Sequence, residues 1–129
     1  MWNVAIVSAA GAAGALARYL IGLAVVRLFG ERIGWATLLV NVAGCLAVGV
    51  VMHLFTQRHA LGEAARLAIV VGFLGAFTTY SAFGYETFVL ARERGPLAAG
   101  GYAALMLALA AAAVWIGWHA SALASPPSH

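Results

Sequence analysis

Residues 72–87 read GFLGAFTTYSAFGYET, an apolar run long enough to help span a bilayer that nevertheless carries glycines, hydroxyls and a carboxylate. Gly72, Gly75, Thr78, Thr79, Tyr80, Ser81, Gly84 and Glu86 crowd a region that lipid would prefer to be plain leucine and valine. Polar groups at membrane depth are costly, so they face a protein interior or a water-filled path. A glycine pair followed by hydroxyls also suits a locally broken helix, whose freed carbonyls and amides bind ions. The stretch predicts an ion site built into a membrane span.

Outward from it, composition agrees. The chain has 129 residues, 64% of them hydrophobic and only 9% charged, with mean hydropathy +0.97. A soluble domain has about 25% charged residues, so a soluble fold is a poor match. At about 20 residues per crossing, the length holds four membrane helices and no soluble domain. The net charge of +3 comes from seven arginines and no lysine. They are scattered between apolar runs, which points to anionic lipid headgroups and away from nucleic acid. Cys45 is the single cysteine; it has no internal disulfide partner and reads as a small packing residue. No basic region precedes the first apolar run, so a cleavable signal peptide is not expected.

Charge and turn residues mark four spans, at about 3–26, 34–56, 64–90 and 97–118, within one all-α transmembrane domain. Arg27, Gly30, Glu31 and Arg32 make the first turn; Gln57, Arg58 and His59 close the second span. Arg92-Glu93-Arg94-Gly95-Pro96 is the third turn, with Pro96 suited to the first turn of a new helix. Ser125 to His129 reads as a frayed tail. Trp2, Trp35 and Trp118 fall near span ends, as an aromatic belt requires. Loops one and three carry Arg27, Arg32, Arg92 and Arg94 against Arg58 and Arg66 for loop two. That balance favours both termini outside by a margin small enough to permit insertion both ways.

Each of the first three spans presents one face that lipid does not explain. Gly11, Gly14, Arg18 and Gly22 share a stripe of the first span, where small residues allow close helix approach. Arg18 lies too deep for easy snorkelling. It either pairs with Glu86, caps helix carbonyls, or draws anions electrostatically into an aqueous vestibule. In the second span Thr37, Asn41, Gly44 and Val48 line one face. The Asn41 amide is either glue between helices or an uncharged donor that replaces water around an anion. His53 falls near the span end on the opposite face, an interfacial position, and His59 and His119 also sit at or near span ends. The histidines lack ligand-like spacing, so no transition-metal site is expected. In the third span, unwinding between Gly75 and Thr78 would free carbonyls for a hard cation such as Na⁺. Tyr80 and Phe83 are either packing residues or ring edges set against a small anion. Thr79 and Ser81 either bond back to their own helix or line the path.

Four segments together resemble the Fluc (CrcB) family of fluoride channels: GAAGALARY at 11–19, TLLVNVAG at 37–44, GFLGAFTTYSAF at 72–83 and YET at 85–87. The asparagine segment and the third-span segment are the specific ones. The resemblance implies four transmembrane helices, the third broken near its middle, in an antiparallel dual-topology homodimer with two fluoride pores. It implies passive fluoride export across the cell inner (plasma) membrane. It also implies a structural Na⁺ at the dimer centre, held here by the backbone carbonyls of Gly75 and Thr78. Carried over residue by residue, the ring pair is Tyr80 and Phe83, the vestibule donor Asn41, and the vestibule charge Arg18 with Thr37 beside it. Thr79 and Ser81 fall in the hydroxyl-bearing break region, and Glu86 and Tyr102 match polar positions near the pore.

Two departures stand out. Tyr80 occupies a position where the family commonly has Phe. The fourth helix lacks the family's hydroxyl track: from Tyr102 its face runs through Met106, Leu109 or Ala110, and Ala113 or Val114, with no hydroxyl before Ser121. Either fluoride leans on third-span hydroxyls and a partner subunit, or the chain is one half of a heterodimer with a paralogue. Fluoride selection suits the remaining residues, because a small hard anion needs close replacement donors in a narrow pore without fixed charge at its constriction. The rival reading, a proton-coupled cation or drug exporter, needs a membrane-embedded carboxylate, and Glu86 lies close to its span's end. An enzyme is not expected, since no nucleophile–base pair is visible.

Overall fold

The computed structural model describes residues 1–30, 32–57, 59 and 61–124. Glu31 and Arg58, read above as turn residues, and the tail from Ser125 to His129 lie outside the described residues. The fold is all helical. Helix α1 is Trp2–Phe29 and α2 is Trp35–Thr56. The third span is composite: α3 Glu63–Arg66, a π-helical segment Leu67–Leu74, α4 Gly75–Phe77 and α5 Tyr80–Arg94. Helix α6 is Pro96–Ala124, with Pro96 at its first position. Four helical stretches, Trp2–Phe29, Trp35–Thr56, Glu63–Arg94 and Pro96–Ala124, are long and apolar enough to cross a membrane. Helices satisfy their own backbone groups, which a bilayer without water demands. α6 continues past Trp118, which therefore sits inside a helix and packs edge-on against His53, ring centroids 5.2 Å apart.

α2 packs most extensively on α6, and α1 on the π segment and α4. Both interfaces depend on glycine. A Cβ on Gly117 would collide with the Leu46 carbonyl of α2, and one on Gly49 with the Val114 carbonyl of α6. On the other side Gly14 lies flush against the Phe73 backbone. Missing side chains let the backbones approach closely, the small-residue packing that membrane helices use. Val40, Leu74 and Phe77 form the buried core where α2 meets the third span, and Phe73 stacks on Phe77 at 5.7 Å.

The third span was expected to unwind between Gly75 and Thr78; it is non-helical at only two residues and is not sharply broken. Gly75–Phe77 is helical. The extended residues are Thr78 (φ −80°, ψ 158°) and Thr79 (φ −146°, ψ 113°). The span as a whole bends by only 21°. The ladder is dislocated over two residues while the two halves stay close to collinear. Threonine tolerates extended geometry better than a helix interior does, which favours these two positions over the glycines.

Candidate functional site

The site grows from the dislocation. Thr79 is the extended residue before α5, so its N–H leaves the helical ladder while its C=O stands at the start of the next one. Asn41 on α2 takes both: its Oδ1 accepts from the Thr79 N–H at 2.8 Å, and its Nδ2 donates to the Thr79 carbonyl at 3.1 Å. The amide side chain thus acts like a neighbouring peptide unit for one residue. Thr79 in turn caps α5, its Oγ1 accepting from the Ala82 N–H at 3.3 Å. Thr78 folds back, its Oγ1 donating to the Leu74 carbonyl at 2.9 Å.

These diversions leave carbonyls without their helical donors. The Thr79 N–H would have met Gly75 C=O in a continuous helix, and the Ala82 N–H would have met Thr78 C=O. Both go elsewhere. Ala76 C=O receives Arg18 instead, through Nε at 3.2 Å. Of the roles open to Arg18, the carbonyl cap is therefore present, whereas an ion pair with Glu86 is not.

Glu86 is committed to hydroxyls. Its Oε1 accepts from Thr37 at 2.6 Å and its Oε2 from Tyr102 at 2.7 Å. One carboxylate thereby ties α2, α5 and α6 together at one level. Both oxygens are occupied by donors, which leaves little scope for the substrate exchange an exporter requires.

A groove of about 270 Å³ runs beside the dislocation, lined by Asn41, Thr79, Tyr80, Phe83 and, from α6, Met106 and Ala110. Tyr80 and Phe83 face each other with ring centroids 5.8 Å apart, and Phe83 continues to Tyr102 at 5.7 Å. Tyr80 and Phe83 line the groove, and Tyr102 continues the row of rings behind them. A second hollow of about 530 Å³ lies on the α1 side, lined by Arg18, Tyr19, Thr37 and Thr79. Thr79 lines both hollows, so the dislocated backbone lies between an arginine-bearing hollow and a groove bearing two rings.

The family model described as "CrcB-like protein, Camphor Resistance (CrcB)" matches residues 5–118. The chain belongs to the CrcB family. Curated relatives of this family include the "Fluoride-specific ion channel FluC" of Solibacter usitatus, 42% identical over 112 residues, covering 87% of this chain and 92% of the relative. The protein of the same name from Rhizobium etli is 42% identical over 118 residues, 91% of this chain and 94% of the relative. That of Nitrobacter winogradskyi is 45% identical over 92 residues, 71% and 72% of the two chains. These relatives are named as channels, not enzymes.

Within this CrcB chain the structure brings together most of the residues singled out from sequence. Asn41, Thr79, Tyr80 and Phe83 share the groove; Thr37, Glu86 and Tyr102 form the adjoining network. Ser81 is exposed and reaches only the Thr79 hydroxyl, at 3.4 Å. Two placements add to the expectation and a third, that of His53, departs from it. Met106 is buried, with its sulfur 3.9 Å from Asn41 Nδ2. Cys45, expected to be a packing residue, is half-buried and lines the groove. His53, expected at the interface, is buried, with Nδ1 3.1 Å from Ser121 Oγ. It packs on α6 against Ser121 and Trp118, in the seam where the Gly49 and Gly117 approaches bring the helices together.

Proposed function

We propose that this protein is a fluoride-selective channel that lets fluoride leave the cytoplasm passively across the plasma membrane, as an antiparallel dimer with two pores. The observation that carries the reading is the Asn41–Thr79 pairing beside the Tyr80–Phe83 rings. Asn41 Nδ2 has two N–H groups; one serves the Thr79 carbonyl, and the other meets only the weak thioether acceptor of Met106. That N–H is an uncharged donor at the groove wall, where ring edges supply partial positive charge without a trapping fixed charge. Arg18 keeps its permanent charge while capping Ala76, so the α1-side entrance stays attractive to anions. Chloride, being larger, is excluded by the narrow passage.

Dimerisation is supported by how little α1 buries within one copy, 6% of its most apolar window, and by the exposure of Tyr80 (83%) and Tyr19 (63%) beside the site. The residues also fit a central Na⁺. Gly75 and Thr78 carbonyls have lost their helical donors, and neutral carbonyl oxygens are the ligands a hard monovalent cation takes. Two such carbonyls from each of two copies would hold it. When bound, the ion supplies a fixed positive charge that ties the two dislocated spans together. Exchange of Na⁺ for N-methylglucamine is expected to lower both flux and thermal stability of the dimer; identical values in the two cations would remove the ion from the proposal.

The deciding experiment is fluoride efflux from liposomes containing the purified protein, followed with a fluoride electrode. Flux no greater than in protein-free liposomes would reject a channel made of this chain alone. A specific observation then favours a second reading, one half of an unlike pair: Met106, Leu107 and Ala110 form the α6 wall of the groove without a hydroxyl. Phe83→Ile removes the central ring of the three and is expected to slow fluoride about tenfold, equivalent to about 1.4 kcal/mol, within the range of an aromatic contact. Tyr80→Phe keeps the ring edge and is expected to retain flux. Unchanged flux in Phe83→Ile would remove that ring from the pathway.

A further inference from the structure

At the end of the bundle where α1 and α5 stop and α2 and α6 begin, a hollow of about 470 Å³ lies away from the groove. Arg32, Glu93 and Arg94 supply its polar wall; Ile33, Trp35 and Leu90 supply its apolar wall. The chain geometry that makes it is specific. Arg32 sits in the turn between Gly30 and Gly34, both at positive φ, and Arg94 is the last residue of α5 before Gly95, also at positive φ. The two turns bring guanidiniums from distant parts of the chain to one rim. Among the described residues neither arginine has an ion pair; the one ion pair is Arg66–Glu63, on the third span's opposite end.

We propose that this hollow binds the phosphodiester of an anionic phospholipid. Planar guanidinium forks match phosphate oxygens, and two of them against the single Glu93 carboxylate leave one net positive charge. That balance suits the single negative charge of a phosphodiester such as phosphatidylglycerol. The position is also that of a headgroup, since these residues flank the ends of the apolar helices. Ile33 (39% exposed) and Trp35 (51% exposed) add an apolar flank that a free phosphate ion could not use but the glycerol and acyl root of a lipid could. Tryptophan at such a boundary holds its ring in the headgroup region.

The proposal stands independently of what the channel conducts. Its test is native mass spectrometry of the intact protein released from detergent with phosphatidylglycerol, phosphatidylcholine or inorganic phosphate. Phosphatidylglycerol is expected to remain bound, and Arg32→Gln/Arg94→Gln together to weaken its retention roughly 30-fold, about fivefold for each arginine at the headgroup surface. Arg27→Gln/Arg92→Gln, which removes two arginines from the last turns of α1 and α5 outside the hollow, is expected to retain the lipid. Equal retention of phosphatidylcholine, or unaltered phosphatidylglycerol retention in the Arg32/Arg94 variant, overturns the proposal. Inorganic phosphate bound as tightly as the lipid overturns the lipid assignment. Thermal unfolding of the double variant separates lost binding from lost folding: these side chains are exposed, so an unchanged midpoint without lipid is expected, and a collapsed one counts against a binding role.

Discussion

Asn41→Ala is expected to destabilise the protein by about 1–3 kcal/mol, the cost of one stranded backbone N–H. The same change is expected to abolish measurable fluoride flux. That N–H belongs to Thr79, whose C=O also accepts from the Asn41 amide, so the side chain binds both backbone groups across 38 residues of sequence. In water the stranded N–H would find a solvent partner; at membrane depth it finds none unless the groove admits water. The chain then either pulls Thr79 back into a helix, which closes the dislocation, or opens the groove to solvent, which ends selectivity. Asn41→Asp separates stability from conduction. A carboxylate still accepts from the Thr79 N–H but has no proton for the carbonyl and none for an anion. Its stability is expected to fall by less than that of the alanine variant, while flux is still lost. Thermal unfolding in detergent and liposome flux read the two effects. An alanine variant with wild-type midpoint and flux would show that the pairing contributes nothing.

Gly117→Val is the second large effect. An added Cβ meets the Leu46 carbonyl of α2 at a separation real atoms do not adopt, and the Val50 N–H lies close by. Backbone cannot rotate aside as a side chain can, so α2 and α6 must separate along the most extensive interface of the fold. Overpacking of this kind costs about 1–3 kcal/mol and occasionally more. Here the upper part of that range is expected, because His53–Ser121 and the Gly49 contact lie in the same seam and loosen with it. Gly101→Ala is the matched comparison: it lies on the same helix with open space around its Cβ position, and is expected to leave stability equal or slightly improved. Thermal midpoints and the monodispersity of the detergent-solubilised protein report both. Gly117→Val behaving like Gly101→Ala would mean that the α2–α6 approach is not a close one.

Much of the site was legible because its residues are expensive in lipid. Arg18, Asn41, Glu86 and the hydroxyl cluster announce themselves against an otherwise plain apolar background. What each one touches was not legible. Arg18 had three possible roles, and the choice of the Ala76 carbonyl depends on which carbonyl the dislocation frees. The displacement of that dislocation from Gly75 towards Thr79 follows from Asn41, a residue of another helix. Met106 was placed on the Tyr102 face of the fourth span, but that its sulfur meets Asn41 shows only in the folded chain. His53 looked interfacial because its position along α2 is near the end, although its face is turned into α6.

The amino-acid sequence by itself determined how many helices are long and apolar enough to cross a membrane. Hydropathy, span length and turn residues are local quantities, and the bilayer reads them one segment at a time. Tertiary structure alone decided the partners: Asn41 with Thr79, Arg18 with Ala76, Thr37 and Tyr102 with Glu86, and Arg32 near Arg94. Those pairings join residues far apart in the chain, and they depend on the rotation and height at which the helices lock. That register is set by contacts such as Gly14 on Phe73 and Gly117 on Leu46, which exist only once the helices meet.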